Sequence, residues 1–556
     1  MTIIHSRSHL AGRSGAALAR LAAFALCLTW SLGACTAARP EGSTEEQAAE
    51  GSSAEDPADA TVDSSASSDE AADGDGGAAG GVLRIRVSGD LTDADPAFHP
   101  AGTDTITAET VGEGLIAYKP GSWEWEKVLA EEIEAEEGGL RIRFKLREGV
   151  QFHGGYGELT ADDVKFSYER YLDKDLASTY AGDWEALDKV EVTDRYSGVI
   201  VLKRPFAPLW TSTLPVTGGI IVSRKALEDL GRDRYKTHPV GTGPYAFDRW
   251  ESNQAVVMKR FDDYWGQKPT WDEVRLVIIP EDSAAEVALE AGDVDFSSIA
   301  PAAAERLEEA GLQTIEIETL NYAGVFMNVT HPDLADIRVR QAIRLSADVD
   351  DIIAGAYDGQ GTRACAIIGP GQLGYWEEAP CPEQDLDEAK RLLAEAPAIA
   401  EPLPITVLDR EAEKATAEIL QANLKAAGLE SRIEVVDDGG YWDLPKYEER
   451  ALTVFSWGTT NPDPHWQMTW FSCSQVGEYN WMQWCDAAFD AVNRKATEVD
   501  DDAERSKLYV EAQKLWERNA NVLWTHHPIQ TYAAQANIEA AQNPNGLALP
   551  RHFRRR

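Results

Sequence analysis

From residue 82 onward the chain is punctuated by short apolar runs whose spacing predicts its elements. Residues 82–87 (VLRIRV) and 139–146 (GLRIRFKL) alternate apolar and polar side chains, the period of a half-buried strand. Residues 190–202 read as a hairpin turning at 194–198, and 245–250 with 254–260 as a second hairpin, followed by a strand at 274–279. Helices are predicted between them. One begins at Thr107 and runs into an exit loop ending at Tyr118. A second is opened by Thr160 and Asp163 in capping-box spacing and continues to Tyr171. A third spans 283–292, with a second S-x-x-E signal and a closing glycine.

Further on, helices at 386–393 and 412–427 alternate with strands at 404–408 and 431–436, and an apolar run comes next at 452–455. Strand–helix–strand order implies parallel strands joined by right-handed crossovers, so the fold class is α/β. In open α/β sheets a ligand lies beyond the carboxyl ends of the strands. That rule draws attention to the stretch beyond residue 455. Trp457, Trp466, Trp470, Trp481 and Trp484 crowd into it, interrupted by the turn Asn461-Pro462-Asp463-Pro464. Aromatic platforms on a loop at a strand end make a ligand wall, and an aromatic mini-core under a long loop is the competing reading.

The N-terminus changes the picture of the compartment. Arg7, Arg13 and Arg20 precede an apolar run at 21–32 of secretory length, too short for a comfortable membrane span. The run ends in Leu32-Gly33-Ala34-Cys35, which resembles the lipobox of bacterial lipoproteins and assigns residues 1–34 to a signal peptide and Cys35 to lipidation. Residues 36–81 hold twelve acids against the single base Arg39 and almost no large apolar side chain, so they are expected to form a disordered tether. As a flexible coil it would span roughly 40 Å.

The formal net charge is −42, and about −34 of the mature charge falls on the part from Val82 onward. So acidic a surface excludes nucleic acid as a partner. Four cysteines remain after Cys27 and Cys35 are set aside, and an even number in an exported chain predicts disulfides. Three pairings are open. The local one, Cys365–Cys381 and Cys473–Cys485, is expected because each bond closes a short loop between turn-rich segments. Trp481 and Trp484 are expected to be buried under the second loop. No C-x-x-C spacing supports a zinc site, and no metal or cofactor is expected. The glycine-rich HPVGTGPY at 238–245 lacks the lysine and Ser/Thr of a phosphate loop. There is no G-x-S-x-G and no H-E-x-x-H, so an enzyme is not expected and an exported hydrolase is a remote alternative.

Four motifs in order resemble one family: REGVQFHGGYGELTADDVKFSYER (147–170), GTGPYAFDRWESNQAVVMKRFDDYWG (241–266), FMNVTHPDLADIRVRQAIRLSADVDDII (326–353) and the W-x-x-x-x-P-D-P turn at 457–464. It is the family 5 solute-binding proteins of ABC importers, the oligopeptide, dipeptide and nickel receptors. The resemblance implies a two-lobed, hinge-closing, periplasmic-binding-protein-like fold. Lobe one would be 82–322 with an inserted subdomain at about 121–237, lobe two 323–525, and 526–556 the return and tail. It also implies a monomeric lipoprotein on the outer face of the membrane. Such a protein captures peptides or related solutes and delivers them to a permease, with a nickel or metal-chelate receptor as the alternative.

By the same resemblance, one wall of the cleft is the segment with Phe98, His99, Thr103 and Asp104, and the other is Ser456, Trp457, Gly458, Thr459 and Thr460. Peptide binders of the family commonly carry an Asp three residues after the tryptophan, paired with the ligand's ammonium. Here Thr460 stands in its place, and a neutral hydroxyl supplies no charge-assisted bond. Asp463 and Asp104 are the candidate replacements, with Asp463 read otherwise as an Asx-type turn former. His465 is the histidine expected nearest a ligand. His153 is expected to be a structural loop residue, and His526 and His527 to lie at the hinge return.

Overall fold

The structure, a computed structural model, describes residues 80–98, 102–443, 446–458 and 462–556. The expected leader with Cys35, and all but the end of the tether, lie outside the described residues. Val82–Val87 occupies the middle of a seven-stranded sheet, parallel to Glu273–Ile278 on one side and to Phe296–Ile299 on the other. The hairpin of Tyr245–Glu251 and Ala255–Arg260 extends one edge. Ile529–Ala534 and Gln313–Glu318 extend the other, both antiparallel. The alternation of VLRIRV buries Leu83 and Ile85 in the core, each worth about 1.5–3 kcal/mol. Arg86 is buried too. Its guanidinium donates to the carbonyls of Ile279 and Pro280 and to Ser298, and its charge is partnered by Asp282 at 2.7 Å.

A second, four-stranded antiparallel sheet takes all its strands from residues 130–202, in the order Ala130–Glu136, Arg141–Leu146, Ser197–Leu202 and Leu187–Val192. The third sheet, of five strands, is the heart of the second lobe. Leu403–Leu408 lies parallel to Ser431–Val436 and to Leu452–Trp457, and Tyr322–Met327 runs antiparallel between Leu452–Trp457 and Val522–Trp524. Tyr322–Met327 is buried at every position, which is why its sequence is continuously apolar.

The chain passes between the seven- and five-stranded sheets twice, through residues 319–321 and back through 525–528. The crossings are bonded to each other. Thr319 donates from its amide and its hydroxyl to the Pro528 carbonyl, at 3.3 and 2.8 Å, and the Thr525 amide donates to Ala323. His527 Nδ1 lies 3.1 Å from the Asn321 carbonyl oxygen. Two adjacent extended crossings are the arrangement about which lobes rotate.

The structure corrects two local readings. The first helix is Gly102–Val111 rather than one starting at Thr107. It is buried on almost every face, so it carries no amphipathic period to read. Its threonines turn their hydroxyls back on the helix, Thr107 to the Thr103 carbonyl and Thr110 to that of Ile106. The second correction is the helix Asp282–Ala291. Its N-cap is Glu281, and Glu286 does not close a capping box but accepts from the Ala300 amide and pairs with Arg306. The box of Thr160 and Asp163 does form, at the head of Ala161–Glu169.

Candidate functional site

Two motifs of the sequence turn out to brace one another. His153 Nε2 bonds the Gly243 carbonyl at 2.8 Å, its ring lies edge-on to Phe261, and burial lowers its pKa to about 4. It is a neutral structural histidine. Arg170, at the end of the first motif, pairs with the buried Asp95. These residues hold the first lobe together and leave the cleft to others.

The strand Leu452–Trp457 ends, as the topology rule requires, at the mouth of a cleft. Trp457 is half-buried there, ringed by Trp442 at 5.1 Å, Trp481 at 5.8 Å and Trp470 at 6.0 Å between centroids. Ser456 precedes it, half-buried and paired in register with Ala323. Gly458 comes next, exposed, and so close to the first crossing that a Cβ would stand 2.2 Å from Asn321 Oδ1. Thr459, Thr460 and His99 lie outside the described residues.

Beyond Trp457 a cavity of about 420 Å³ opens between the lobes. Asp183, Glu185 and Arg204 line it from the first lobe, and His465, Trp466, Trp470 and Arg494 from the second. An adjoining slot of about 20 Å³ runs between Tyr322, Phe326, Trp457 and Tyr479, with Trp470 common to both. The lobes touch around this space. Thr211 donates to Asp463 Oδ2 at 2.5 Å, Arg204 reaches Thr497 at 3.3 Å, and Phe206 meets the His465 ring edge-on at 5.2 Å. The arrangement is a closed cleft.

The sequence offers Asp463 and Asp104 as cation acceptors, and the structure spends both inside the protein. Asp463 is fully enclosed. It caps the helix Pro464–Thr469 through the His465 amide, accepts from Arg505 at 2.6 Å, and receives the hydroxyls of Tyr509 and Thr211. Burial raises its pKa, but the Arg505 guanidinium and the hydroxyls more than offset this and hold it below the ordinary carboxylate range. Asp104, in the first turn of its helix, accepts from the amides of Thr92 and Asp93 and from the Thr92 hydroxyl. Thr103 is buried and donates to the Gly89 carbonyl. Phe98 lies under the Arg232 guanidinium, 3.9 Å from its ring centroid. His465 does border the cavity, with burial lowering its pKa despite the charge of Asp463 nearby.

Both expected disulfides are formed, Cys365–Cys381 and Cys473–Cys485. Under the second, Trp481 and Trp484 are buried, and the Asn480 amide donates to the carbonyls of Phe471, Ser472 and Trp484. This half of the tryptophan-rich stretch is scaffold.

Sequence reasoning misses Asp183, Arg204 and Arg494, which face the cavity from distant parts of the chain. Asp183 sits in a turn-rich segment with no periodicity. Its neighbour Trp184 fixes it, buried and stacked on Tyr168 at 4.3 Å and on Tyr171 at 5.6 Å, with the indole N–H donating to Gly218. An acid flanked by a tryptophan between a helix and a strand is the only signal of it in the sequence.

Comparison with known proteins agrees with this architecture. Residues 124–478 match the family model described as bacterial extracellular solute-binding proteins, family 5. The dipeptide-binding protein of Escherichia coli (strain K12) is 28% identical over 468 residues, covering 78% of this chain and 86% of that protein. Heme-binding protein A of Haemophilus influenzae is also 28% identical, over 464 residues, covering 78% and 85%. Among solved structures, the periplasmic binding protein DppA from Helicobacter pylori in complex with the peptide STSA superposes with a TM-score of 0.75 at 27% identity, covering 85% of this chain and 98% of that one. The chain belongs to the bacterial extracellular solute-binding proteins, family 5.

Proposed function

We propose that the protein is the membrane-anchored, extracytoplasmic substrate receptor of an ABC importer, taking peptides or related small solutes into the cleft and delivering them to the permease. The cavity between the lobes carries this reading. Its volume falls within the ~300–1,000 Å³ of small-ligand sites. Its walls come from both lobes, so a ligand held there favours the closed form by its differential contacts. Trp457 and Trp470 offer planar apolar surfaces, and Ser456 and Gly458 lie at the strand end where an extended main chain would pair. Peptides are the ligands of two of the three similar proteins, the dipeptide-binding protein of Escherichia coli and DppA with its bound STSA. The anchor is the lipid on Cys35, the working state is a monomer on the outer face of the membrane, and the chain performs no chemistry on the solute it carries.

Native mass spectrometry of the full chain, before and after mild unfolding, tests the reading. A mixture of released oligopeptides is expected. A single non-peptide compound would overturn the peptide assignment and leave the receptor class standing.

A further inference from the structure

Asp183 is the carboxylate of the cleft that the protein itself does not use. It is only 6% exposed, yet it lines the cavity, and its side chain has no hydrogen-bond partner or salt bridge among the described residues. Its backbone is fixed on both sides. The amide donates to the Tyr180 carbonyl, the carbonyl accepts from Thr213, and Trp184 is clamped between Tyr168 and Tyr171. The backbone and the packed Trp184 thus hold the Asp183 side chain at the wall of the cavity.

Most neighbouring charges are already committed, and Arg494, which also borders the cavity, forms no ion pair with Asp183. Asp463 belongs to Arg505, Glu185 pairs with Arg204, and Arg204 also reaches Thr497. Asp490 accepts from the Cys473 amide. A buried, unpaired carboxylate beside two other acids is costly unless a positive group arrives.

We propose that Asp183 is the cation-recognition residue of the cleft, accepting an ammonium or guanidinium group of the bound solute from the wall of the first lobe. This inference rests on the receptor reading above and adds to it the class of ligand, a solute carrying at least one positive charge on the end or side that meets residues 179–185. The electrostatics agree with the geometry. Burial, and then the charges of Asp463 and Glu185, raise the Asp183 carboxyl to about 7. An incoming cation would relieve that penalty and hold the group ionised. Because Asp183 lies on the lobe opposite Trp457, the cation and the stacked group would be gripped from different lobes. Ligand charge is thereby coupled to closure.

The test uses the full chain and three synthetic pools of two- to four-residue peptides: lysine- and arginine-free with free amino termini; the same pool N-acetylated; and N-acetylated peptides each containing one lysine. Retention is measured by affinity-selection mass spectrometry for the wild type and for Asp183→Asn. The expected result is retention of the first pool, the third, or both, over the second, with a loss of roughly 30-fold or more in affinity in Asp183→Asn. Preference for the first pool identifies an α-ammonium, and preference for the third a side-chain cation. Equal retention of the cation-free second pool by the wild type overturns the inference and leaves the peptide receptor standing, whether or not the variant folds. So does a folded Asp183→Asn that binds like the wild type. Retention of none of the pools overturns the peptide reading, and this inference with it.

Discussion

Asp463 accepts hydrogen bonds from Arg505, Tyr509, Thr211 and the His465 amide at a point closed to solvent. Its local sequence, N-P-D-P, reads correctly as a helix-opening turn, but its ion pair comes from Arg505, 42 positions away. Removing one partner of such a pair leaves the other charge buried and bare, which costs about 3–5 kcal/mol, whereas replacing both is often nearly neutral. Arg505→Met is therefore expected to lower the unfolding free energy by that amount in urea denaturation, and Asp463→Asn combined with Arg505→Met to recover most of it. Equal destabilisation by the single and double variants would show that packing, not charge, dominates the site. Asp183 is also a buried acid beside an aromatic residue in a turn. Only the positions of distant arginines make Asp463 structural and leave Asp183 free.

At the scale of elements, the glycine-rich segment at 241–243 shows why its motif resembles a phosphate loop so little. Gly241 is pressed on the end of the first helix, so that a Cβ would lie 2.2 Å from the Val111 carbonyl oxygen, a backbone atom that cannot step aside. Gly243 stands in the same position against Thr110 and Val111. The glycines are there for close backbone approach, with His153 bonded to both residues of the loop. Gly241→Ala should destabilise the protein by about 1–3 kcal/mol, the cost of overpacking, visible as a lowered melting temperature with peptide affinity retained in the folded fraction. Strands are legible wherever one face is buried and the other wet, as in VLRIRV, because the side-chain period of two then appears in the sequence. The first helix is not legible, because burial on all sides erases the period. The second S-x-x-E signal misleads because Glu286 has a better use for its carboxylate in Arg306 and the Ala300 amide.

At the scale of the molecule, closure brings Asp183 beside Asp463, so the cleft itself is pH-sensitive. Burial and the charges of Asp463 and Glu185 hold the Asp183 carboxyl at about 7 in the closed form, and opening, which carries Asp463 away, lowers it from there. The closed, ligand-free form thus binds the extra proton, and closure without ligand is favoured below pH 7 and opposed as the pH rises through it. His465 works against this below about 6.5, since closing holds its pKa down. The guanidiniums of Arg204 and Arg505 are paired with Glu185 and Asp463, and that of Arg494 borders the same cavity. Between pH 6.5 and 8 the Asp183 contribution therefore decides. The radius of gyration of the ligand-free wild type, measured by small-angle scattering, is expected to increase across that interval, and that of Asp183→Asn to stay constant. A wild-type radius independent of pH would place the closing equilibrium elsewhere.

Short-range chemistry is written along the chain and can be read there: the α/β class from its alternation of periods, the capping box at Thr160, the turn at Asp463, the local pairing of the cysteines, and the commitment of Trp481 and Trp484 to the core. The motif order is enough to expect two lobes with a cleft between them. The folded arrangement alone settles which polar side chains are spent and which remain available. Asp104, Asp463 and Asp183 are indistinguishable as letters, and each is buried. Their roles differ because hydrogen bonds and ion pairs form across the space between elements, and that space, unlike a helical or strand period, leaves no trace along the chain.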